Sequence, residues 1–248
     1  MIAQEQQEFY QENGHLLVKG LFSRDEAAAW RRECHALAER LSARQSIDAT
    51  WDSARATVKE KTQLLHCHDV QFQAAIFTRL LVDERLTEIA ASLIGSENVQ
   101  LHHNKMFIKP PEKGSPFPMH QDHPFFPHER HSMIAAICHF DDAPLEKGCV
   151  LVIPGSHKRG PVEHIKEGGW HLPFEQYPLE SAVPCAAEAG DVLFFSYLTI
   201  HGSGVNVSNE ARTTLLIQMR DPEDRPTLDV HQSRGQGMML RGIDPLSR

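Results

Sequence analysis

After Gly95 the period of the apolar residues drops from about 3.6 towards 2, and this switch limits the fold more than any other feature of the chain. The stretch QAAIFTRLLVDERLTEIAASLIG (73–95) carries apolar residues at helical spacing and closes on Gly95, a residue suited to a left-handed helix cap. Beyond it, VQLHHNKMFIK (99–109), MIAAICHF (133–140), CVLVIPG (149–155), DVLFFSYLTIH (191–201) and RTTLLIQMR (212–220) read as short strands punctuated by Pro and Gly.

Upstream, residues 3–12 read as a short polar helix and HLLVKGLF (15–22) as a strand. Ser23 and Glu26 then form a capping-box signature, and helix-forming residues continue to about Ala43. Residues 45–70 are mixed, irregular or partly helical. Helices followed by a run of strands predict an α+β chain, mainly β. Its core is a β-barrel or double sheet, with N-terminal helices packed outside. The expected division is one domain over 1–248: a helical part to about 97, a core over about 98–220 and a tail over 221–248. The tail has no clear period and reads as either a cover for the site or a mobile end.

The bulk numbers exclude several classes. The 248 residues, 41% hydrophobic and 23% charged, are ordinary globular composition. A formal net charge of -8 argues against a nucleic-acid surface or a polybasic membrane patch. The five cysteines include no CxxC pair and are odd in number, as expected of reduced thiols in the cytoplasm. The polar start shows no signal peptide. No apolar run has the length of a membrane span.

The chain carries 16 His, three of them in PFPMHQDHPFFPH (116–128). On a strand, His120 and Asp122 share a face and Gln121 points away. His201, ending the apolar stretch 191–201, is a third candidate ligand. Two His and one carboxylate leave open positions on a metal, as in non-haem Fe(II) oxygenases; a zinc hydrolase can use the same set, though no general base stands at a suggestive spacing. His123, His128 and His131 lie off that face. These, with His102, His103, His139, His164 and His171, are read as solvated or as supporting a ligand from behind rather than as ligands.

The stretch TIHGSGVNVSNEARTTLLIQMR sharpens the reading. Ser203 shares the face of His201, and Arg212 follows a turn rich in Asn, Ser and Gly at 204–210. A hairpin there returns Arg212 alongside His201. Its planar fork suits a carboxylate. A cosubstrate that chelates iron at one end and carries a free carboxylate at the other fits such a pocket; 2-oxoglutarate is one. Lys105 alternates onto one strand face with His103 and Phe107, where it can touch cosubstrate or substrate. Phe125 and Phe126 read either as excluding water from the site or as plain packing.

The stretches KPPEKGSPFPMHQDHPFFP, DDAPLEKGCVLVIPGSHKRG and AGDVLFFSYLTIHGSGVNVSNEARTTL, with ENGHLLVKGLFSRDE upstream, resemble the phytanoyl-CoA dioxygenase family of Fe(II)/2-oxoglutarate enzymes. The resemblance covers about residues 5–220. It implies a double-stranded β-helix (jelly-roll, cupin-like) core and the iron ligands His120, Asp122 and His201. It also implies Arg212 on the distal carboxylate of 2-oxoglutarate, with Ser203 bonding nearby. Lys61, in KTQLLHCHDVQF, falls where some members place a basic contact to the cosubstrate. The implied reaction consumes O2 and 2-oxoglutarate, releases succinate and CO2, and hydroxylates an aliphatic carbon of a small molecule.

The chain departs from the family at one place: Ile137 stands where relatives often carry a pocket-lining Trp. Asp122 itself disfavours halogenation, since related halogenases place a small residue there. A cupin-like binding module without turnover is the rival reading, and the intact ligands and Arg212 argue against it. Family members differ in substrate, from acyl-CoA to osmolytes, phosphonates and natural products. The loop after Pro127, residues 158–185 and the tail, with Arg225, Arg234 and Arg241, are where substrate choice is expected.

Overall fold

In the computed structural model, which describes residues 2–58 and 61–246, helix α1 (Gln4–Asn13) stops where Gly14 turns left-handed at φ 74°. The chain enters β1 (His15–Val18). Helix α2 (Arg24–Ser42) opens on the expected capping box: Ser23 Oγ accepts from Glu26 N at 3.2 Å and the Glu26 carboxylate accepts from Ser23 N at 2.8 Å. It buries Ala27, Trp30, Cys34, Leu37 and Ala38 along one face, the spacing of an amphipathic helix. The mixed region 45–70 contains a short α3 (Asp52–Thr57) and β2 (Leu65–His68).

The single helix expected over 73–95 is two, α4 (Ala75–Leu81) and α5 (Glu84–Ile94). Asp83 makes the break, because its carboxylate accepts from Arg85 N at 3.0 Å and starts a new helix. Gly95 caps α5 at φ 76°.

The remaining strands are β3 (Val99–Lys109), β4 (Phe117–His120), β5 (Ile134–His139), β6 (Val150–Val152), β7 (Val183–Cys185), β8 (Val192–Ser196), β9 (His201–Ser203), β10 (Arg212–Arg220) and β11 (Met239–Arg241). The strand expected over 149–155 is shorter, since Pro154 and Gly155 turn the chain. The strand expected over 191–201 is instead β8, a corner at 197–200, and the first residue of β9. Tyr197, Leu198, Thr199 and Ile200 are all buried, so the corner leaves no polar mark on the apolar pattern.

The larger sheet has the order β1-β8-β5-β10-β3-β11, with β2 also on β3, and the smaller has β4-β9-β6-β7. All pairings between named strands are antiparallel. Alternation sorts the side chains of the larger sheet. Met106, Ile108, Ile134, Ala136, Leu215 and Ile217 face outwards and pack under Trp30, Leu37, Phe77 and Leu80 of the helices. Ala135, Leu193 and Phe195 face inwards against Val150, Val152 and Cys185 of the smaller sheet. Two facing sheets with helices outside one of them are the expected double-stranded β-helix.

The first part of the tail lies over the 126–132 loop. Asp224 accepts from Arg130 N at 2.7 Å and from Ser132 N and Oγ at 2.8 and 2.7 Å. Thr227 N donates to Pro127 O at 2.9 Å. Strands β1, β2 and β11 show that segments before 98 and after 220 complete the larger sheet. The five cysteines are buried free thiols. Among the described residues no helix is long and apolar enough to cross a membrane.

Candidate active site

His120 ends β4 and His201 begins β9, and the two are paired in register with ring centroids 4.2 Å apart. Asp122 is not on the strand, contrary to expectation. The chain leaves β4 after His120, and Asp122 sits at φ -74°, ψ -24° before a 3-10 turn over His123–Phe125. The backbone N–H groups of Asp122 and His123 both donate to Tyr197 O, at 3.0 and 3.2 Å. That turn brings Asp122 Oδ1 to 3.8 Å from His120 Nε2 and 3.9 Å from His201 Nε2.

The atoms behind these three fix their direction. His120 Nδ1 lies 2.8 Å from Pro118 O and His201 Nδ1 lies 2.9 Å from Thr199 O. Each Nδ1–H donates to its carbonyl, which leaves Nε2 as the free lone pair. Gln218 Nε2 donates to Asp122 Oδ2 at 2.6 Å, leaving Oδ1 towards the rings. The ligand atoms of His120, Asp122 and His201 all lie within 4.8 Å of one another. Burial, then the neighbouring His201, hold His120 well below the usual imidazole range, in the neutral form that binds metals. Two imidazoles and one carboxylate on one side of a cavity fit a ferrous ion. Gln121 points away as expected, bonding Leu198 O at 2.6 Å and Gly160 O at 3.0 Å.

Arg212 reaches the same cavity by another route than the expected hairpin. β9 belongs to the smaller sheet and β10 to the larger, so residues 204–210 cross between sheets. Arg212 pairs with Lys109 of β3. Its guanidinium donates to Gly148 O, while its buried Nε has no partner. Arg212 and Ser203 both line the cavity. Lys109, which the sequence reading passed over, is fully buried and donates to Ser203 Oγ at 2.7 Å and Gly204 O at 2.6 Å. Burial, then Arg212, push its ammonium well below the usual lysine range. Burial brings Arg212 itself down to about 10.

Ile137, Leu216, Val150 and Phe195 line the same cavity. So do His103, Lys105 and Phe107, the predicted face of β3. The cavity encloses about 710 Å³, counting the part open to solvent. Trp51, Phe117, Phe125 and Phe126 form an aromatic wall; the Trp51 ring lies 4.9 Å from that of His120. Burial lowers Lys105 to about 8 against the pull of Asp122.

Lys61 is not brought in. It is exposed and does not line the cavity, because Gln63 is tied to Lys113 and Ser115 beyond the end of β3. Arg225 and Arg241 also lie outside the lining, and Arg234 stacks on Phe72, 3.9 Å from its ring. Of the segments expected to choose substrate, the tail alone reaches the cavity, through His231. The alternation that marks Lys105 and Arg212 also marks Lys109 and Gln218. Trp51 and His231 come from segments without a period and carry no such signal.

The family model for phytanoyl-CoA dioxygenase (PhyH) matches residues 10–214. The peroxisomal phytanoyl-CoA dioxygenase of Bos taurus is 30% identical over 237 residues, covering 89% of this chain and 69% of that protein. The chain spans about two thirds of the length of its mammalian relatives. The crystal structure of the epimerase SnoN in complex with Fe3+, alpha ketoglutarate and nogalamycin RO is similar with a TM-score of 0.74 and 22% identity, over 96% of this chain and 98% of that one. EctD from S. alaskensis with 2-oxoglutarate and 5-hydroxyectoine gives a TM-score of 0.74 at 21% identity, over 97% and 86%. These structures speak for the fold, and the sequence matches for descent: the chain belongs to the phytanoyl-CoA dioxygenase family.

Proposed function

We propose that this chain is an Fe(II)- and 2-oxoglutarate-dependent dioxygenase that hydroxylates an aliphatic carbon of a small-molecule substrate, with release of succinate and CO2. One observation carries the reading: His120 Nε2, Asp122 Oδ1 and His201 Nε2 converge within one cavity that also holds the Arg212 guanidinium. When bound, ferrous ion and 2-oxoglutarate supply the activation of O2 and the oxidation of the substrate.

The chain's own residues hold, aim and shield. His120, Asp122 and His201 are the metal ligands, and Gln218 aims the carboxylate. Arg212 takes the distal carboxylate of the cosubstrate, with Ser203 beside it and Lys109 fixing Ser203. Trp51, Phe125 and Phe126 keep water from the reacting centre. A zinc hydrolase needs a second acid–base group at the metal, and among the described residues Asp122 is the one carboxylate lining the cavity.

The test is succinate formation from 2-oxoglutarate with Fe(II) and ascorbate in air. Turnover above the protein-free control, abolished in Asp122→Ala, is expected. Iron-loaded, folded protein that forms no succinate with any member of a broad small-molecule panel would sink the reading.

A further inference from the structure

We propose that the end of the cavity around Lys105 is an anion subsite, and that the substrate is a small amphiphilic acid with an apolar body and one carboxylate-like head. This rests on the oxygenase reading and adds a substrate class to it.

Lys105 sits mid-strand on β3 with its side chain inward. Among the described residues it has no hydrogen-bond or ion-pair partner. The carboxylate acting on it is Asp122, which Gln218 already holds. With Asp122 committed to Gln218 and the metal site, an ammonium drawn into the cavity is costly unless a ligand supplies a further negative charge.

Imidazoles gather around it. In the β2–β3 pairing His68 stands opposite Lys105, so both side chains leave the sheet on one face. The register of β3 against β10 slips between His103 and Leu101. That β-bulge adds His102 to the strand and lets His102 and His103 lie together, their Nδ1 atoms 2.7 Å apart. His231 comes from the tail, its ring 4.4 Å from His103 and 6.0 Å from His68. It is held at φ 53°, a left-handed conformation that side chains other than glycine adopt at a cost. The chain spends that strain to place a ring at the cavity wall.

The chemistry of the cluster selects its ligand. Burial holds His68 and His102 down to about 3 and His231 to about 4, so these rings are neutral; one N–H is used between the Nδ1 atoms of His102 and His103, and of this cluster His103 and His231 line the cavity. The nearby Asp69 is taken by Ser233 Oγ at 2.6 Å and Arg234 N at 3.1 Å. One cation beside the His231 N–H, with Asp69 and Asp122 both already held, receives an anion. A second metal is disfavoured, since among the described residues no other group of three brings its ligand atoms within 4.8 Å of one another. The facing wall of Trp51, Phe125 and Phe126 suits an apolar body.

The probes are 3-phenylpropionate and its amide, added without oxygen to protein loaded with Fe(II) and saturating 2-oxoglutarate, which occupies the Arg212 end. Binding is read by tryptophan fluorescence, with 2-oxoglutarate binding followed separately by its visible charge-transfer band. The acid is expected to bind about tenfold more tightly than the amide. Lys105→Gln and Lys105→Met should erase that preference and keep the band, and Lys105→Arg should retain the preference. Equal binding of acid and amide to wild type overturns the proposal. Loss of the band in Lys105→Gln also overturns it, by making Lys105 a cosubstrate contact. If wild-type protein shows no 2-oxoglutarate binding, the oxygenase reading falls, and this substrate assignment falls with it.

Discussion

Gln218 reaches across from the larger sheet and holds Asp122, in the turn after β4 of the smaller, by a 2.6 Å hydrogen bond to Oδ2. The bond aims Oδ1 at the two imidazoles. Gln218→Leu should therefore weaken iron binding about 10–100-fold while the circular dichroism spectrum stays native. Iron titration checks this, and wild-type affinity would show that Asp122 needs no such support.

Arg212→Ala should raise the 2-oxoglutarate requirement about a hundredfold, the scale of an unpaired buried charge, with iron still bound. Lys109→Met should raise it less, because Lys109 acts through Ser203. Steady-state kinetics in 2-oxoglutarate distinguish the two. A normal KM in Arg212→Ala would remove Arg212 from the clamp.

The histidine cluster makes the fold acid-sensitive. His68, His102 and His231 are depressed from 6.5 to about 3, 3 and 4. Above pH 6.5 they are neutral in both states and contribute nothing. As pH falls below 6.5 the unfolded chain takes up protons that the folded chain refuses. Stability then drops by up to about 1.4 kcal/mol per pH unit for the buried His102 and by less for the partly exposed His68 and His231, whose charge water screens. Tm should fall steadily from pH 6.5 to 4, and His231→Asn should flatten part of that slope. A Tm constant over this range would contradict the neutral, buried state of the cluster.

Gly190 sits at φ 100°, and a Cβ there would run into the carbonyl oxygen of Phe22. The Gly190 N–H donates to His139 O at 2.9 Å and its carbonyl accepts from Phe22 N at 3.0 Å, so the backbone cannot step aside. Gly190→Ala should cost about 1–3 kcal/mol and lower Tm by roughly 2–10 °C. Calorimetry reads the shift.

β3, β5 and β10 were the most legible strands, while β2 and β11 of the same sheet were not foreseen and β1 and β8 are shorter than expected. β3 and β10 have the bounds expected of them, because one face packs under helices and Pro110 and Pro222 follow their ends. The corner at 197–200 was hidden by its burial, and the break at Asp83 by apolar spacing that carries on across it. The site was legible as a set of residue types. Asp122 was expected on a strand and lies in a turn; Arg212 was expected on a hairpin and comes from the opposite sheet. Alternation alone could have yielded Lys109 and Gln218. His231 and Trp51 depend on how loops return, and nothing local in the sequence encodes that.

The crossing at 204–210 divides the catalytic parts by order of synthesis. All three candidate ligands precede residue 212, and the residues that steer Asp122 and grip the cosubstrate from β10 follow it. A growing polypeptide halted before that last long strand would own every ligand and none of this governance, so assembly of a competent centre waits until β10 has been made.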